Sequence, residues 1–222
     1  TKTKSLLCLL LEACMTTINI LETDNQIQSM INAAMAPLVN KHFNSKIPQI
    51  VKESREMAQS WISSQNVITS LLSASTDSLA GAFGVSPSQV SSIVGSIVGA
   101  VSNSISVEVK KFDQNLRGSL SINFQPAEFS NLISLRQGHT VYDGGDLHWL
   151  KWLLTLGSAP IISNYEYVAS AGEGRSGLGV MKVGGSFRVP PEYAGTMNDN
   201  FVTKAFADKD DQIVSMLERI LR

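Results

Sequence analysis

Apolar residues recur every third or fourth position through most of the first hundred residues. Farther along, several stretches alternate apolar and polar at every second position, and this change of period organises the chain. Residues 5–21 read as a helix, with Leu6, Leu10, Cys14 and Ile18 at every fourth position. Thr23 or Asp24 can cap a second helix that carries Ile27, Met30, Ile31, Ala34 and Leu38 on one face, with Pro37 expected to kink or restart it. A further helix is expected from about Pro48 through Ile50, Val51, Ala58, Trp61 and Ile62 to near Leu72. Gly81 to Pro87 is a break. After it, Val90, Ile93, Val94, Ile97, Val98 and Val101 follow the spacing of one helical face. Ser91, Gly95 and Gly99 form a stripe of small residues beside that face, of the kind that lets another helix approach closely.

From Ile105 the period becomes two. Ile105, Val107 and Val109 alternate with Ser106, Glu108 and Lys110, and Leu120, Ile122 and Phe124 alternate with Ser121 and Asn123. With the turn-rich stretch Asp113 to Gly118 between them and Pro126 beyond, these segments predict a β-hairpin. A helix is expected over Asp146 to Leu156, capped by Asp146 and stopped by Gly157, with Leu147, Leu150, Leu154 and Trp149 or Trp152 buried. Ile161 to Val168 reads as a strand with Tyr165 and Tyr167 on one face. Val180 to Val183 and Phe187 to Val189 read as short strands joined at Gly184-Gly185, and Pro190-Pro191 ends the sheet. Asn198 to Ala205 and Asp208 to Leu221 read as helices, the last with Ile213, Leu217, Ile220 and Leu221 inward. The expected fold class is α+β: a mainly helical region over residues 1–104, then a mostly antiparallel sheet with packed helices over residues 105–222.

Composition narrows the function. Of 222 residues, 43% are hydrophobic, enough for a sizeable core, and only 17% are charged. A formal net charge of −1 gives little long-range attraction to nucleic acid or anionic lipid and only weak repulsion between copies, which suits self-association. Cys8 and Cys14, six apart on one expected helix, would point in different directions, so folding in a reducing cytoplasm is expected without a disulfide between them. Lys2, Lys4 and the run Leu6 to Leu11 touch on a signal or lipoprotein segment. Glu12 stands where a small residue is needed, and an amphipathic helix is the preferred reading. No apolar run is long enough to span a bilayer.

Three groups of residues could carry chemistry. His139, Tyr142, Asp143, Asp146 and His148 lie within ten residues, but their spacing matches no familiar ligand pattern. With a turn at Asp143-Gly144-Gly145 and a cap at Asp146, no metal is expected. The Gly-rich stretch Gly172 to Gly179 lacks the Lys-Ser/Thr pair and the following helix of a phosphate loop, and Ser176 is not on a strand-to-helix elbow. It reads as a mobile hairpin tip that presents Arg175, a residue suited to contact a neighbouring subunit or a carboxylate. Asp208, Asp210 and Asp211 are explained by the dipole of the last helix. No catalytic constellation and no cofactor site assemble, so a structural rather than enzymatic role is expected.

Residues 145–154 (Gly-Asp-Leu-His-Trp-Leu-Lys-Trp-Leu-Leu), 174–181 (Gly-Arg-Ser-Gly-Leu-Gly-Val-Met), 187–196 (Phe-Arg-Val-Pro-Pro-Glu-Tyr-Ala-Gly-Thr) and 200–205 (Asn-Phe-Val-Thr-Lys-Ala) carry a resemblance that covers about a third of the chain. It resembles the neck, head–tail connector and tail-completion proteins of tailed bacteriophages. Those have an Arg-Ser/Thr-Gly hairpin and a Pro-x-x-Tyr/Phe-Ala-Gly-Thr loop before an Asn-Phe-aliphatic-Thr-Arg/Lys-Ala helix. The resemblance implies a virion protein, folded in the host cytoplasm, that forms a homo-oligomeric ring between the capsid portal and the tail. Its partners would be copies of itself and other neck or tail proteins, with DNA only as cargo passing through the lumen and no membrane. The residues implied as subunit contacts are Arg175, Ser176 and Gly177 at the tip, Val90, Ile97 and Val98 on the low-charge helix, and Tyr193, Asn200 and Phe201 in the loop-to-helix motif. Two competing readings are a membrane-active or pore-associated protein using the segment 79–101, and a hydrolase using His139, Asp143 or His148.

Overall fold

The computed structural model describes residues 22–124, 127–142, 145–172 and 174–222. The expected first helix, with Cys8 and Cys14, lies outside the described residues, as do Pro126, Asp143 and Gly144. The fold is α+β, with helices dominating the first half and short antiparallel pairs in the second. Among the described residues the α-helices are α1 (Asp24–Ser63), α2 (Asn66–Ser73), α3 (Leu79–Ala82), α4 (Pro87–Asn103), α5 (Ser130–Ile133), α6 (Trp149–Thr155), α7 (Phe201–Phe206) and α8 (Asp210–Leu221). The strands are β1 (Ser106–Lys110), β2 (Ser119–Asn123), β3 (Thr140–Tyr142), β4 (Gly145–Leu147), β5 (Pro160–Val168) and β6 (Val180–Arg188), arranged as three separate pairs: β1 with β2, β3 with β4, and β5 with β6.

Two compact units divide the chain. The described part of one is residues 22–41 with 111–119; the other is residues 42–110 with 120–222. Residue 105 therefore marks a change of secondary structure, not the edge of a packing unit. In the smaller unit, the Asn40 side chain brackets the backbone of Phe112. Its Nδ2 donates to the Phe112 carbonyl (2.9 Å) and its Oδ1 accepts from the Phe112 N–H (2.8 Å), tying the loop to the helix.

The larger unit is organised around one apolar core. The face of α4 predicted from its spacing is buried there: Val90, Ile93, Val94, Ile97 and Val101 pack with Ile68 and Leu71 of α2, Leu79 of α3, and Trp149, Leu150, Leu153 and Leu154 of α6. Phe201, Val202 and Ala205 of α7 and Phe187 of β6 complete it. Phe83 is stacked on Trp149, with ring centroids 5.4 Å apart and planes at 16°. A second cluster joins Ile50 of α1 to Met216 and Ile220 of α8, with Val107, Leu120 and Ile122 of the β1–β2 hairpin packed against it. Arg219 of α8 pairs with Glu53 of α1 on the same side.

Several boundaries differ from expectation. α1 runs as one helix through Pro37 and Pro48, so neither proline restarts it, whereas a restart was one of the two outcomes expected at Pro37 and a new helix was expected from Pro48. A proline removes one backbone hydrogen bond, and continuous helix on either side outweighs that loss. The helix breaks instead at Ser64 and Gln65, so the segment expected to reach Leu72 is two helices, α1 and α2. Gly184-Gly185 does not join two strands. Both glycines lie inside the single strand β6, with φ of 136° and 57°. Register passes from Ser163↔Ser186 to Tyr165↔Val183, so Asn164 alone stands opposite the two glycines. This is a β-bulge, and positive φ at the glycines lets the strand bend without losing its partner.

Candidate functional site on the β3–β4 hairpin

The helix expected from Asp146 begins later. Residues 145–147 form β4, which pairs antiparallel with β3 in the register Thr140↔Leu147, Val141↔Asp146 and Tyr142↔Gly145. α6 starts at Trp149, and His148 occupies the position before it. Asp146 is thus a strand residue and not the helix cap.

This correction places three ligand-type side chains together. Asp146 and His148 are two apart, so they project to the same side of the strand. His139 and His148 each lie one position beyond the Thr140↔Leu147 pair, facing each other across the hairpin. Asp146 Oδ2 lies 3.1 Å from His139 Nδ1 and 3.1 Å from His148 Nε2. The two imidazoles are 3.7 Å apart between centroids, with planes at 45°. One potential ligand atom from each residue falls within 4.8 Å of the others. His139 is mostly covered, and Asp146 and His148 are more open. Asp146 and His148 also border a recess of about 360 Å3 that includes Lys151, Trp152 and Ile161. The only signal available in the sequence was that His139 and His148 flank a Gly-Gly pair with Asp146 beside it, a spacing that specifies no contact. Reading Asp146 as a cap concealed it.

On the other side of β3 lies the Gly-rich connection between β5 and β6. Arg175, expected to reach for a neighbour, donates through Nη1 to the carbonyl of Val141 in the same chain (2.7 Å). The connection closes on itself: Gly174 N–H donates to the Leu178 carbonyl, and Gly177 N–H to the Gly174 carbonyl. Beneath it is a largely apolar recess of about 390 Å3, lined by residues that include Phe83, Thr140, Tyr167, Arg175, Met181 and Phe187. Ser176 is half-buried there, and Gly177 is exposed.

Tyr167 holds this region together, a role its place in the strand alternation did not reveal. Its hydroxyl donates to the Thr76 carbonyl (2.7 Å) and accepts from the Gly179 N–H (3.1 Å). The same oxygen would be 2.5 Å from a Cβ at Gly81 and 2.7 Å from one at Gly179, so both positions exclude a side chain. Burial pushes the phenol above its ordinary pKa of 10.0, the Gly179 N–H draws it back, and the charge of Asp77 adds to the rise. Its stabilisation is therefore complete below pH 10.0 and is lost as pH rises through the higher folded-state value. Tyr167→Phe is expected to cost about 1 kcal/mol near neutral pH, from two lost hydrogen bonds. The difference from the parent should shrink in alkaline denaturation curves.

The remaining predicted contact residues divide by burial. Val90, Ile97, Asn200 and Phe201 are buried inside the chain; Val98 and Tyr193 are half-buried. Asn200 is the N-cap of α7: its Oδ1 accepts from the N–H groups of Val202 (3.0 Å) and Thr203 (3.1 Å), and Thr203 Oγ1 returns a bond to the Asn200 N–H. No helix among the described residues is long and apolar enough to cross a membrane. Comparison with family models, with curated proteins and with solved structures finds no match to this chain.

Proposed function

We propose that this chain is a structural subunit, not an enzyme, that assembles with copies of itself into a ring at the head–tail junction of a tailed phage. There it would meet other neck or tail proteins, and DNA would pass through the lumen. The motif resemblance over residues 145–205 suggests the place. The observation that carries self-association is apolar surface left open at helical spacing. On α1, Met30 is 64%, Ile31 47% and Leu38 68% exposed, with Ala34 exposed between them. This is the face the sequence marks as apolar, and contiguous exposed apolar surface is characteristic of interaction sites. A second apolar display is on the β5–β6 pair, where Val183 is 80% exposed. Head-to-tail contact between two such unlike surfaces closes into a ring when the rotation per subunit divides a full turn.

The α4 segment favours this reading over a membrane-active one, because its apolar side faces the core in the folded chain. Native mass spectrometry over a range of concentrations is the direct test. The expected result is one discrete mass, a whole multiple of the 24.0 kDa chain. Ile31→Asp with Leu38→Asp should reduce it to a folded monomer. A chain that stays monomeric at every concentration, and that also fails to bind portal or tail assemblies, would overturn the proposal.

A further inference from the structure

We infer that His139, Asp146 and His148 form a binding site for a borderline divalent transition ion of the zinc type, which staples the β3–β4 hairpin to the start of α6. Two imidazole nitrogens and one carboxylate oxygen are the donor set such ions take. Magnesium and calcium prefer oxygen ligands throughout. Distances agree with the chemistry. Bonds of about 2.0–2.1 Å around a tetrahedral ion set neighbouring donor atoms about 3.3–3.4 Å apart. Asp146 Oδ2 is 3.1 Å from a ring nitrogen of each histidine. All three donors lie within 4.8 Å, so small rotations of the side chains close the set.

The backbone explains why the three are held together. Register fixes His139 across from His148, and the strand period puts Asp146 on their side. Two strands of three residues each are too short to be stable alone. An ion bridging both strands would hold the hairpin closed and anchor it through His148 to the first turn of α6, whose Trp149 and Leu150 are buried in the core. Three protein ligands leave one position outward, for water.

The test uses the full chain, with Cys8→Ser and Cys14→Ser to remove competing thiolates, freed of metal by chelation. Titration with Zn2+ followed by calorimetry is expected to show one saturable site per chain. Zn2+ should raise the melting temperature, and Mg2+ and Ca2+ should not. Co2+ should give the intense visible bands of a tetrahedral complex. His139→Ala, His148→Ala and Asp146→Asn should each weaken Zn2+ binding at least about 100-fold, given that loss of a mere outer-shell partner costs 10- to 100-fold. His42→Ala should leave it unchanged. His148→Cys guards against loss of fold in the alanine variants: it keeps a ligand and should add a thiolate charge-transfer band to the Co2+ spectrum. Absence of a saturable Zn2+ site in the folded parent chain would overturn the inference. So would binding that persists in the folded His139 and His148 variants, or a Co2+ spectrum that His148→Cys does not alter.

Discussion

Ile97→Asp is expected to abolish cooperative folding. Ile97 is fully buried in the middle of α4, within the main core. The substitution loses the burial of a large aliphatic side chain, about 1.5–3 kcal/mol. It also leaves a carboxyl group with no partner in an apolar site, which costs several more even after the group takes up a proton. A domain of this kind has about 5–15 kcal/mol of stability to lose. Val98→Asp is the informative contrast. Val98 is the next residue on the same helix but only half-buried, so the variant should fold at a cost of about 2 kcal/mol or less. Circular dichroism melts of the two single variants check this. Equal behaviour would mean that the two residues do not differ in environment as the structure has them. The pair also separates core from interface: a folded Val98→Asp chain that loses its assembled mass would assign Val98 to a subunit contact.

The second large effect is expected at Gly195 and Asn200. A Cβ at Gly195 would come within 2.6 Å of Asn200 Cβ and nearer still to the Leu153 carbonyl oxygen. The backbone cannot yield easily there, because the Gly195 carbonyl accepts from the Gly157 N–H (2.8 Å) and Leu156 pairs with Thr196. Asn200 fits into the space that glycine leaves. Besides capping α7, its Nδ2 donates to the carbonyls of Leu154 (3.2 Å) and Thr196 (2.9 Å), the first of these in a buried site. Gly195→Ala is expected to cost about 2–4 kcal/mol through overpacking and displaced backbone. Asn200→Ala should cost a similar amount, from the lost cap and the buried groups left without partners. Chemical denaturation of both single variants and the double variant tests the coupling. Because the two residues touch, the double variant should lose clearly less than the sum of the single losses.

These residues show what the resemblance motifs do in this chain. Gly195 and Asn200 belong to the Ala-Gly-Thr and Asn-Phe-Val-Thr stretches, and both serve the join between α6, the loop after β6 and α7. Phe201 is buried in the core beside them. Arg175 of the Arg-Ser-Gly stretch bonds the backbone of β3. In the free chain all four are occupied in intramolecular packing and hydrogen bonding. Exposed apolar side chains lie elsewhere, among them Met30, Ile31 and Leu38 on α1 and Val183 on β6.

The sequence by itself determined the elements whose period is strong and which turn one face to an apolar cluster. α4, the β1–β2 hairpin and α8 stand where alternation or helical spacing places them, because burial of one face acts on every turn or every second residue and leaves a repeated mark. It did not reveal the cap of α7: Asn200, read as part of a helix from Asn198 and as a subunit contact, is the residue that caps it. Tertiary structure decided the rest. Pro37 and Pro48 stay helical because the cost of one missing hydrogen bond is local, and continuation of α1 on either side outweighs it. The double glycine at 184–185 has the same composition in a turn as in a bulge, and only a strand paired across from it settles which it is. His139, Asp146 and His148 carry no local signature, since their proximity depends on the register of two three-residue strands. Register is a property of the pair and is not written in either strand alone.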